Sequence, residues 1–310
     1  MATYLVTGGA GFIGSNIVRK LLTLGNKVKV MDNLATGREQ NIQDLLKDIE
    51  FIEGDIRSLD AVLHVMDGVD YVLHQAALPS VPRSVNDPLT SNEVNVNGTL
   101  NVLIAARDND VQRVVVASSS SIYGNSLQLP KVETMIQNPM SPYATSKLAT
   151  ERYALSFHSV YGLPTVALRY FNVFGPYQDP KSQYAAVIPK FITAIQNEDT
   201  FEIHGDGEQS RDFTYIDNVI EANLLACSSA NAAGQFVNIA CGSRYTLNEM
   251  VSMLEKIIGK KPHPEYVANR TGDVKHSQAD ISAANKYLGY SPVVTFEEGL
   301  RRTVDWYKTH

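Results

Sequence analysis

Short apolar runs alternate with helical patterns through the first half of the chain. The first run, residues 4–6, is typical of a buried strand, and apolar residues then recur at helical spacing at Ile13, Ile17, Leu21 and Leu24. Similar strand-like runs follow at 28–31, 51–52, 71–73 and 114–116, with helical patterns between them. This alternation predicts an α/β fold with a doubly wound parallel sheet that helices cover on both faces.

The rhythm changes after Arg169, where loops rich in Pro, Gly, Tyr and Asp follow at 174–183 and 204–212. We therefore expect residues 1–168 to form the sheet domain, completed by about 214–240, and residues 169–310 to form mainly a smaller C-terminal substrate-binding region. Neither a Gly/Ser linker nor an internal repeat separates the two parts. Ligands of open α/β sheets bind outside the carboxyl ends of the strands, so the cleft between the parts is the expected active site.

The segment 7–14, Thr-Gly-Gly-Ala-Gly-Phe-Ile-Gly, joins the first strand to the first helix. Gly8, Gly11 and Gly14 suit a tight turn, close approach of backbone to a pyrophosphate, and close packing of helix on strand. Asp32 ends the second apolar run, at the offset expected for an acid that binds ribose hydroxyls and repels a 2′-phosphate. These features predict a Rossmann dinucleotide site that prefers NAD. Arg38 follows closely enough to reach a 2′-phosphate, which leaves NADP as the alternative.

A second cluster has the composition of a proton-transfer site. Ser141 and Pro142 begin a predicted helix that continues to about Tyr161 and carries Tyr143 and Lys147 one turn apart on one face. A nearby ammonium favours phenolate, and so we expect it to lower the pKa of Tyr143 from about 10 towards neutrality and make it a general base. The serine run 118–121 ends a predicted strand, where a hydroxyl would face the cofactor. The alternative, an ordinary helix surface, is disfavoured by the glycine turn and serine run together.

Composition excludes several other functions. The chain has 310 residues, with 44% hydrophobic and 19% charged residues and a net charge of −6, so it lacks the basic excess that nucleic acid or an anionic membrane attracts. The first strand begins by residue 4 without a signal core, and no apolar run reaches the length of a membrane span. We expect a cytoplasmic protein. Cys227 and Cys241 are too few for a disulfide framework or metal cluster and are interpreted as core residues, so no metal is expected.

Further motifs carry a family resemblance: Gly-Asp-Ile at 54–56, His-Gln-Ala-Ala at 74–77, Asn-Val-Asn-Gly-Thr at 95–99, and the segments 168–175 and 205–217. With the two clusters above, the chain resembles the extended short-chain dehydrogenase/reductases from residue 2 to about 308, and among them the nucleotide-sugar epimerases. The resemblance implies that Ser119 is the catalytic hydroxyl, Tyr143 the base and Lys147 the residue that binds the nicotinamide ribose.

The resemblance also implies two sets of binding residues. Those for NAD are Gly8, Gly11, Phe12, Ile13, Gly14, Asp32, Asn33, Asp55, Ile56, Ala76, Ala77, Tyr143 and Lys147. Those for a UDP-sugar are Ser80, Ser120, Ser121, Asn172, Arg211, Arg270, Asp273 and Ser277. Asn172 and the two arginines are expected near the diphosphate, which guanidinium pairs in a fork. Asp273 is expected at the uridine ribose.

The implied activity is inversion at C4 of a UDP-sugar through a 4-keto intermediate, with transient hydride transfer to NAD. The chain is most similar to the subgroup acting on UDP-N-acetylglucosamine and UDP-N-acetylgalactosamine, in which a small residue such as Ser277 leaves room for the N-acetyl group. UDP-glucose and UDP-galactose are further candidate substrates, because Pro79 stands where this subgroup often has glycine. Ser120 and Ser121 replace the Asp-Glu pair of the related 4,6-dehydratases, which argues against dehydration.

Two alternatives and an oligomeric state accompany this prediction. A UDP-uronic acid 4-epimerase or decarboxylase would use the same oxidation, with Arg83 as a cationic partner for the sugar carboxylate. A non-enzymatic sensor of NAD or UDP-sugar is disfavoured, because Ser119, Tyr143 and Lys147 are intact. Family members usually dimerise through two helices per subunit, so we expect a homodimer formed by the helices at 89–109 and 142–161.

Overall fold

The computed structural model describes residues 1–180, 187–268 and 275–309. Its first part comprises β1 (Thr3–Thr7), α1 (Phe12–Thr23), β2 (Lys27–Asp32), β3 (Glu50–Glu53), α2 (Leu59–Met66), β4 (Tyr71–His74), α3 (Val81–Asn86), α4 (Pro88–Asn92), α5 (Thr99–Asp108), β5 (Arg113–Ser119), α6 (Pro142–Tyr161) and β6 (Thr165–Tyr170). A π-helical turn, Glu93–Gly98, joins α4 to α5, and short 3₁₀ turns occur at Glu39–Asn41, Gln43–Leu45 and Ser120–Tyr123.

The second part is built from shorter elements. They are β7 (Val173–Phe174), α7 (Val187–Asn197), β8 (Thr200–His204), β9 (Ser210–Arg211), β10 (Thr214–Tyr215), α8 (Ile216–Ser228), β11 (Gln235–Ile239), β12 (Tyr245–Thr246), α9 (Leu247–Ile258), β13 (His263–Val267), α10 (Ser282–Leu288) and α11 (Phe296–Tyr307). The predicted loop 204–212 thus contains a short strand, β9, which pairs antiparallel with β12.

The central sheet has seven strands in the order β11-β6-β5-β4-β1-β2-β3. Every neighbouring pair in it is parallel. The strand order reverses between β1 and β4, which is the place where open α/β sheets bind ligands. The predicted fold class, a doubly wound parallel sheet, is confirmed, and β11 adds a strand at the edge next to β6.

Side chains that alternate along the strands enter two separate cores. Leu5, Val72 and Val116 pack on one face of the sheet with residues of α2, α5 and α6. Val6 and Val115 point to the opposite face and pack with residues of α1 and α8. Because successive residues of a strand face opposite sides, both faces must be apolar, which explains the uninterrupted apolar runs in the sequence.

A fully buried ion pair joins α6 to β6. Arg169 donates from Nε to Oε2 of Glu151 at 2.8 Å and from Nη2 to Oε1 at 2.7 Å, and both side chains are 0% exposed. Ser118, in β5, donates to the same carboxylate at 3.0 Å. Arg169 also donates to Tyr123 Oη at 2.7 Å, and Tyr123 donates to Asn238 Oδ1 of β11 at 2.7 Å. One network therefore connects β5, α6, β6 and β11.

We expect Glu151→Ala to destabilise the protein by about 3–5 kcal/mol, because it leaves a buried guanidinium without its carboxylate. Glu297→Ala is the control, since Glu297 pairs with Arg301 on the surface of α11, with side chains 65% and 52% exposed. That control should change stability by no more than about 0.5 kcal/mol. Urea unfolding of the three proteins measures both effects, and equal losses in the two variants would contradict the importance of the buried pair.

Candidate active site

A cavity of about 1480 Å³ opens at the carboxyl edge of the sheet, where the strand order reverses. Fourteen of the residues predicted for cofactor, substrate or chemistry line it: Gly8, Gly11, Phe12, Ile13, Gly14, Asp32, Asn33, Ile56, Ala76, Ala77, Ser80, Tyr143, Lys147 and Asn172. Residues from distant parts of the chain therefore meet around one space. Ser80 holds a positive φ of 100° while it caps α3, a strained backbone that places this serine at the cavity wall.

The backbone of the glycine turn is shaped so that other groups can approach it closely. A Cβ at Gly14 would lie 2.2 Å from the carbonyl oxygen of Gly8, and one at Gly8 would lie 2.7 Å from the backbone of Ala76. Gly8 also has a positive φ of 70°. Gly11 precedes α1 and contributes no side-chain cap, so the first N–H groups of that helix face the cavity without a side-chain acceptor. This cradle fits a pyrophosphate.

The carboxylate of Asp32 lies beside that cradle. Its Oδ2 accepts from Ala10 N at 3.0 Å and its Oδ1 from Leu34 N at 2.9 Å. Burial raises the pKa of Asp32, while these two backbone hydrogen bonds lower it. A carboxylate fixed this way at the cavity wall suits ribose hydroxyls and disfavours a 2′-phosphate. The residues present thus fit NAD.

Asp55 and Arg38, two charged residues near the predicted cofactor site, are both held in ion pairs. Asp55 accepts hydrogen bonds from Arg57 at 2.8 Å and Asn33 at 2.9 Å, and the Arg57 hydrogen bond lowers its pKa to about 2. Arg38, the cation that could have favoured NADP, forms an ion pair with Asp179. Its guanidinium is therefore already matched by a carboxylate from a loop more than a hundred residues away.

Ser119 and Tyr143 form the centre of the predicted chemistry. Ser119 Oγ accepts from the Ser121 N–H at 3.2 Å and the Ser121 hydroxyl at 2.9 Å. Burial raises the pKa of Tyr143, and a hydrogen bond with Ser119 lowers it. Ser119 Oγ already accepts two hydrogen bonds from Ser121. Its own proton therefore remains to be donated to Tyr143 or to a substrate oxygen.

Lys147 acts differently from the sequence-based expectation. Its ammonium donates to the carbonyl of Ala117 at 2.8 Å, and burial lowers its pKa to about 8. The net direction for the pKa of Tyr143 is upward, so the expected depression of that pKa by Lys147 is wrong for this state of the site. Desolvation opposes charge on both groups and is the largest influence on the pKa of each. The predicted placement holds, because both side chains line the cavity from one face of α6.

Behind the cavity wall, a buried histidine connects β1 to the helices. His74 accepts from Thr7 Oγ1 through Nδ1 at 2.7 Å and donates from Nε2 to Thr99 Oγ1 at 2.9 Å. This tautomer follows because Thr99 uses its own proton on Asn95 O at 2.5 Å. Burial lowers the pKa of His74 to about 3, with a smaller effect of Lys147.

A second cavity of about 420 Å³ adjoins the first and shares Asn172 and Lys190 with it. Aromatic side chains of Phe191, Phe201 and Phe213 line it, and Arg211 stands at its polar rim. It has the dimensions and composition of a slot for a flat ring, with cations where it meets the larger cavity.

The remaining predicted substrate residues are distributed as follows. Ser277 donates its N–H to Ser210 O at 2.9 Å, next to Arg211, and Ser120 and Ser121 lie half-buried beside Ser119. Arg270 and Asp273 lie outside the described residues.

Asp212 accepts backbone N–H groups of Cys241, Gly242 and Ala279 at 2.9–3.1 Å, and burial raises its pKa to about 7. This carboxyl group fixes the segment after β11 against the segment that carries Ser277.

Lys190 was missed in the sequence. No motif marks it, because a lysine on an amphipathic helix is normally a solvated residue. Its place between two cavities follows only from how α7 packs beside Asn172. Across the described ranges 1–180, 187–268 and 275–309, no helix has the length and apolar character needed to cross a membrane.

Known proteins similar to this chain share its whole length. The family model for the NAD dependent epimerase/dehydratase family matches residues 4–240. A UDP-glucuronate 4-epimerase of Thermodesulfobacterium geofontis is 36% identical, with 99% of this chain and 97% of that protein covered.

Two solved structures give the same picture. A UDP-N-acetylglucosamine 4-epimerase from Methanobrevibacter ruminantium, in complex with UDP-N-acetylmuramic acid, is 42% identical with a TM-score of 0.94, covering 99% of this chain and 98% of that one. A UDP-glucose 4-epimerase from Thermus thermophilus, in complex with NAD, is 37% identical with a TM-score of 0.90, covering 99% of each chain.

The buried His74 predicts a specific acid sensitivity. Its pKa is about 3 in the folded protein against 6.5 in the unfolded chain, so below pH 6.5 the unfolded state binds the extra proton and stability falls. Between pH 7.5 and 5.5 we expect this residue to account for about 1.4 kcal/mol of lost stability. His74→Gln should remove that part of the pH dependence, whatever its effect at neutral pH.

Urea unfolding of wild type and variant at both pH values measures the difference. His64→Gln is the control, since His64 is exposed on α2 and should leave the wild-type pH dependence intact. An unchanged pH dependence in His74→Gln would show that this buried imidazole is not the source of the effect.

Proposed function

The chain belongs to the NAD dependent epimerase/dehydratase family, and on that premise we propose that it is a UDP-sugar 4-epimerase acting chiefly on UDP-N-acetylglucosamine and UDP-N-acetylgalactosamine. The observation that carries the proposal is the junction of two cavities. The larger holds Tyr143 and Lys147, the smaller has an aromatic lining, and Asn172 and Lys190 stand between them. In this arrangement the larger cavity would receive the sugar, the junction the diphosphate, and the smaller cavity the base of a UDP-sugar.

NAD is the cofactor of this enzyme, and the residues that would hold it are those of the cradle, Gly8, Gly11 and Gly14, with Asp32 at the adenosine ribose and Lys147 at the nicotinamide ribose. NAD bound there would supply a reversible hydride acceptor for C4 and, in its oxidised form, a positive charge. Burial raises the pKa of Tyr143, so an added positive charge in this cavity favours the phenolate that the reaction needs.

Tyr143 is proposed to act as the general base and acid. It removes the proton of the sugar 4-hydroxyl while the C4–O bond becomes a carbonyl, and Ser119 donates a hydrogen bond to the oxygen on which charge develops. After the 4-keto sugar turns its other face, Tyr143 returns the proton to the oxygen. The hydroxyl is restored with C4 inverted, and atoms and charge balance over the cycle.

This cycle requires the nucleotide to be held firmly and the sugar loosely. Asn172 and Lys190 line both cavities and Arg211 lines the smaller one, so these polar side chains are proposed to bind the diphosphate. Phe191 and Phe201, with ring centroids 4.4 Å apart, provide an apolar wall for the base. Binding energy from these remote groups can retain a substrate whose reacting part must rotate. Arg270 and Asp273 are proposed partners by resemblance.

The choice of sugar rests on small side chains. Ser277 lies beside Ser210 at the substrate region, and a serine leaves space that a bulky residue would fill. The 42% identity to the Methanobrevibacter ruminantium enzyme, a UDP-N-acetylglucosamine 4-epimerase, supports the acetylated sugars as first candidates. UDP-glucose and UDP-galactose are smaller versions of the same ligand and are expected as slower substrates.

One observation favours a second candidate, a UDP-uronic acid 4-epimerase. Arg83 lines the larger cavity together with Pro79 and Ser80. A guanidinium on the sugar-facing loop suits a carboxylate at C6. The relative from Thermodesulfobacterium geofontis is a UDP-glucuronate 4-epimerase, which makes this substrate the appropriate comparison in the test below.

Purified protein incubated separately with UDP-N-acetylglucosamine, UDP-glucose and UDP-glucuronic acid should convert chiefly the first, with the C4 epimer detected by proton NMR. Tyr143→Phe should lower turnover by about 10²–10⁴-fold, the usual contribution of a general base. Substrate binding, followed by UDP-sugar calorimetry, should change little, because the hydroxyl acts on the reacting atom.

Each outcome of that assay is decisive. Conversion chiefly of UDP-glucuronic acid would replace the proposed substrate with the second candidate. Full activity of Tyr143→Phe would sink the proposed base. Tyr266→Phe, a change of the same size at a position 56% exposed on β13 and outside both cavities, is the matched control and should retain wild-type turnover.

We also propose that the protein is a homodimer. Tyr153, Val160 and Tyr161 of α6 are 40%, 70% and 53% exposed and lie on one helical face, and Leu89 of the adjoining α4 is 71% exposed. An apolar patch on a paired-helix surface suits a second copy of itself.

Sedimentation velocity should give twice the mass of the chain. A Tyr153→Asp/Val160→Asp double variant should sediment as a monomer, because it places two charges in the buried interface. Val293→Asp, at a position 60% exposed outside this patch, is the control and should remain dimeric. A wild-type monomer would contradict the proposal.

A further inference from the structure

The structure assigns Asp179 a role that goes beyond the proposed reaction: we propose that it selects NAD over NADP by holding Arg38 in an ion pair. Selectivity in such sites is usually attributed to the acid at the end of the second strand, here Asp32. Arg38 lies in the same loop and carries the charge that a 2′-phosphate would seek. Its ion pair with Asp179 neutralises that charge, so the guanidinium is not available to a phosphate.

The two side chains meet at the wall of the cofactor cavity. Arg38, Asp179 and Asp32 all line it, and Arg38 donates from Nη2 to Asp179 Oδ2. The loop that carries Arg38 passes directly over Asp32, since a Cβ at Gly37 would lie 2.7 Å from the Asp32 carboxylate. The Arg38 N–H is fixed to Ala10 O at 3.0 Å. The main chain at Arg38 is therefore fixed beside Asp32, and its guanidinium is held by Asp179 at the wall of the same cavity.

The segment that presents Asp179 is held from several sides. Asn16 of α1 donates to the carbonyl of Pro176 at 3.0 Å, and Arg19 stacks on Tyr177 at 4.4 Å from its ring centroid. Tyr177 also packs on Trp306 of α11 at 5.1 Å between centroids, and Tyr307 donates to the carbonyl of Gln178. These contacts fix the carboxylate in place, as a selectivity device requires.

The two arginines on the loops after β2 and β3, Arg38 and Arg57, are both paired with carboxylates. Arg57 pairs with Asp55 at 2.8 Å, as Arg38 pairs with Asp179. With Asp32, these residues contribute three carboxylates against two guanidinium groups, so the local balance is one negative charge. A ribose hydroxyl tolerates this field, whereas a phosphate dianion is repelled. Releasing Arg38 would shift the balance towards the phosphate.

The test measures which nucleotide the protein binds. Purified protein is equilibrated with equal concentrations of NAD and NADP until the bound ratio is constant, desalted, denatured, and its released nucleotides are quantified by chromatography. Asp179→Asn should raise the bound NADP:NAD ratio about tenfold, the effect of one charge-assisted hydrogen bond from the released Arg38. The readout needs no sugar substrate, so it stands or falls independently of the proposed epimerase activity.

A double variant identifies the cause. Asp179→Asn/Arg38→Gln should return the ratio to the wild-type value, because the cation that binds the phosphate is gone. Asp108→Asn is the matched control: it releases Arg107, paired with Asp108 at 2.6 Å, and neither residue lines the cavity or contacts the segment that carries Asp179. The control should keep the wild-type ratio.

Three results would overturn the assignment. In the first, the Asp179→Asn ratio stays within about twofold of wild type, less than one such hydrogen bond supplies. In the second, the raised ratio persists in the double variant, so that Asp179 acts without Arg38. In the third, Asp179→Asn loses both nucleotides alike, which would make the ion pair a structural fastening and not a selector.

Discussion

The arrangement of the active site depends on the buried ion pair between Arg169 and Glu151. Tyr143, Lys147 and Glu151 are spaced by four residues along α6, so they share one face of that helix. The carboxylate of Glu151 is fixed by Arg169 on β6 and by Ser118 on β5. A shift of α6 along its axis would break these hydrogen bonds in a region without water to replace them. The pair thus sets the position of Tyr143, the proposed general base, relative to Ser119, the next residue after Ser118.

The same network reaches the substrate side. Arg169 lies three residues before Asn172, and through Tyr123 it reaches Asn238 of β11. Asn238 in turn donates to the carbonyls of Lys131 and Asp280, and Asp280 is close in sequence to Ser277. The helix that carries Tyr143, the strand that carries Ser119 and the segments near Asn172 and Ser277 therefore share one set of buried polar contacts. Fold stability and site geometry are consequences of the same interactions in this protein.

The sequence was sufficient wherever the chemistry is local. The glycine turn, Asp32 and the Tyr143–Lys147 pair are recognised from spacing, because a turn, a strand end and a helical face are properties of a few adjacent residues. The pairing of Arg38 with Asp179 spans 141 residues and appears only when the loop after β7 is brought over the cofactor cavity. The expected direction of the Tyr143 pKa was wrong because desolvation depends on the whole surrounding fold, whereas the neighbouring lysine is visible in the sequence. Lys190 was missed for the same reason, since nothing local distinguishes it from a solvated lysine.

This division between local and distant contacts also explains how one scaffold can serve different sugars. The proton-transfer groups are tied into the sheet by buried hydrogen bonds, so they tolerate little change. The sugar-facing residues Pro79, Ser80 and Arg83 belong to a loop and a short helix at the cavity wall, outside the buried network of Arg169 and Glu151. Substitutions there would alter the shape and charge of the proposed sugar pocket while Ser84 of α3 continues to accept from the Tyr143 N–H at 3.0 Å. This construction would let the substrate change at the loop while the proposed proton-transfer groups stay in place, and it is consistent with relatives that are 4-epimerases of UDP-glucuronate and of UDP-N-acetylglucosamine.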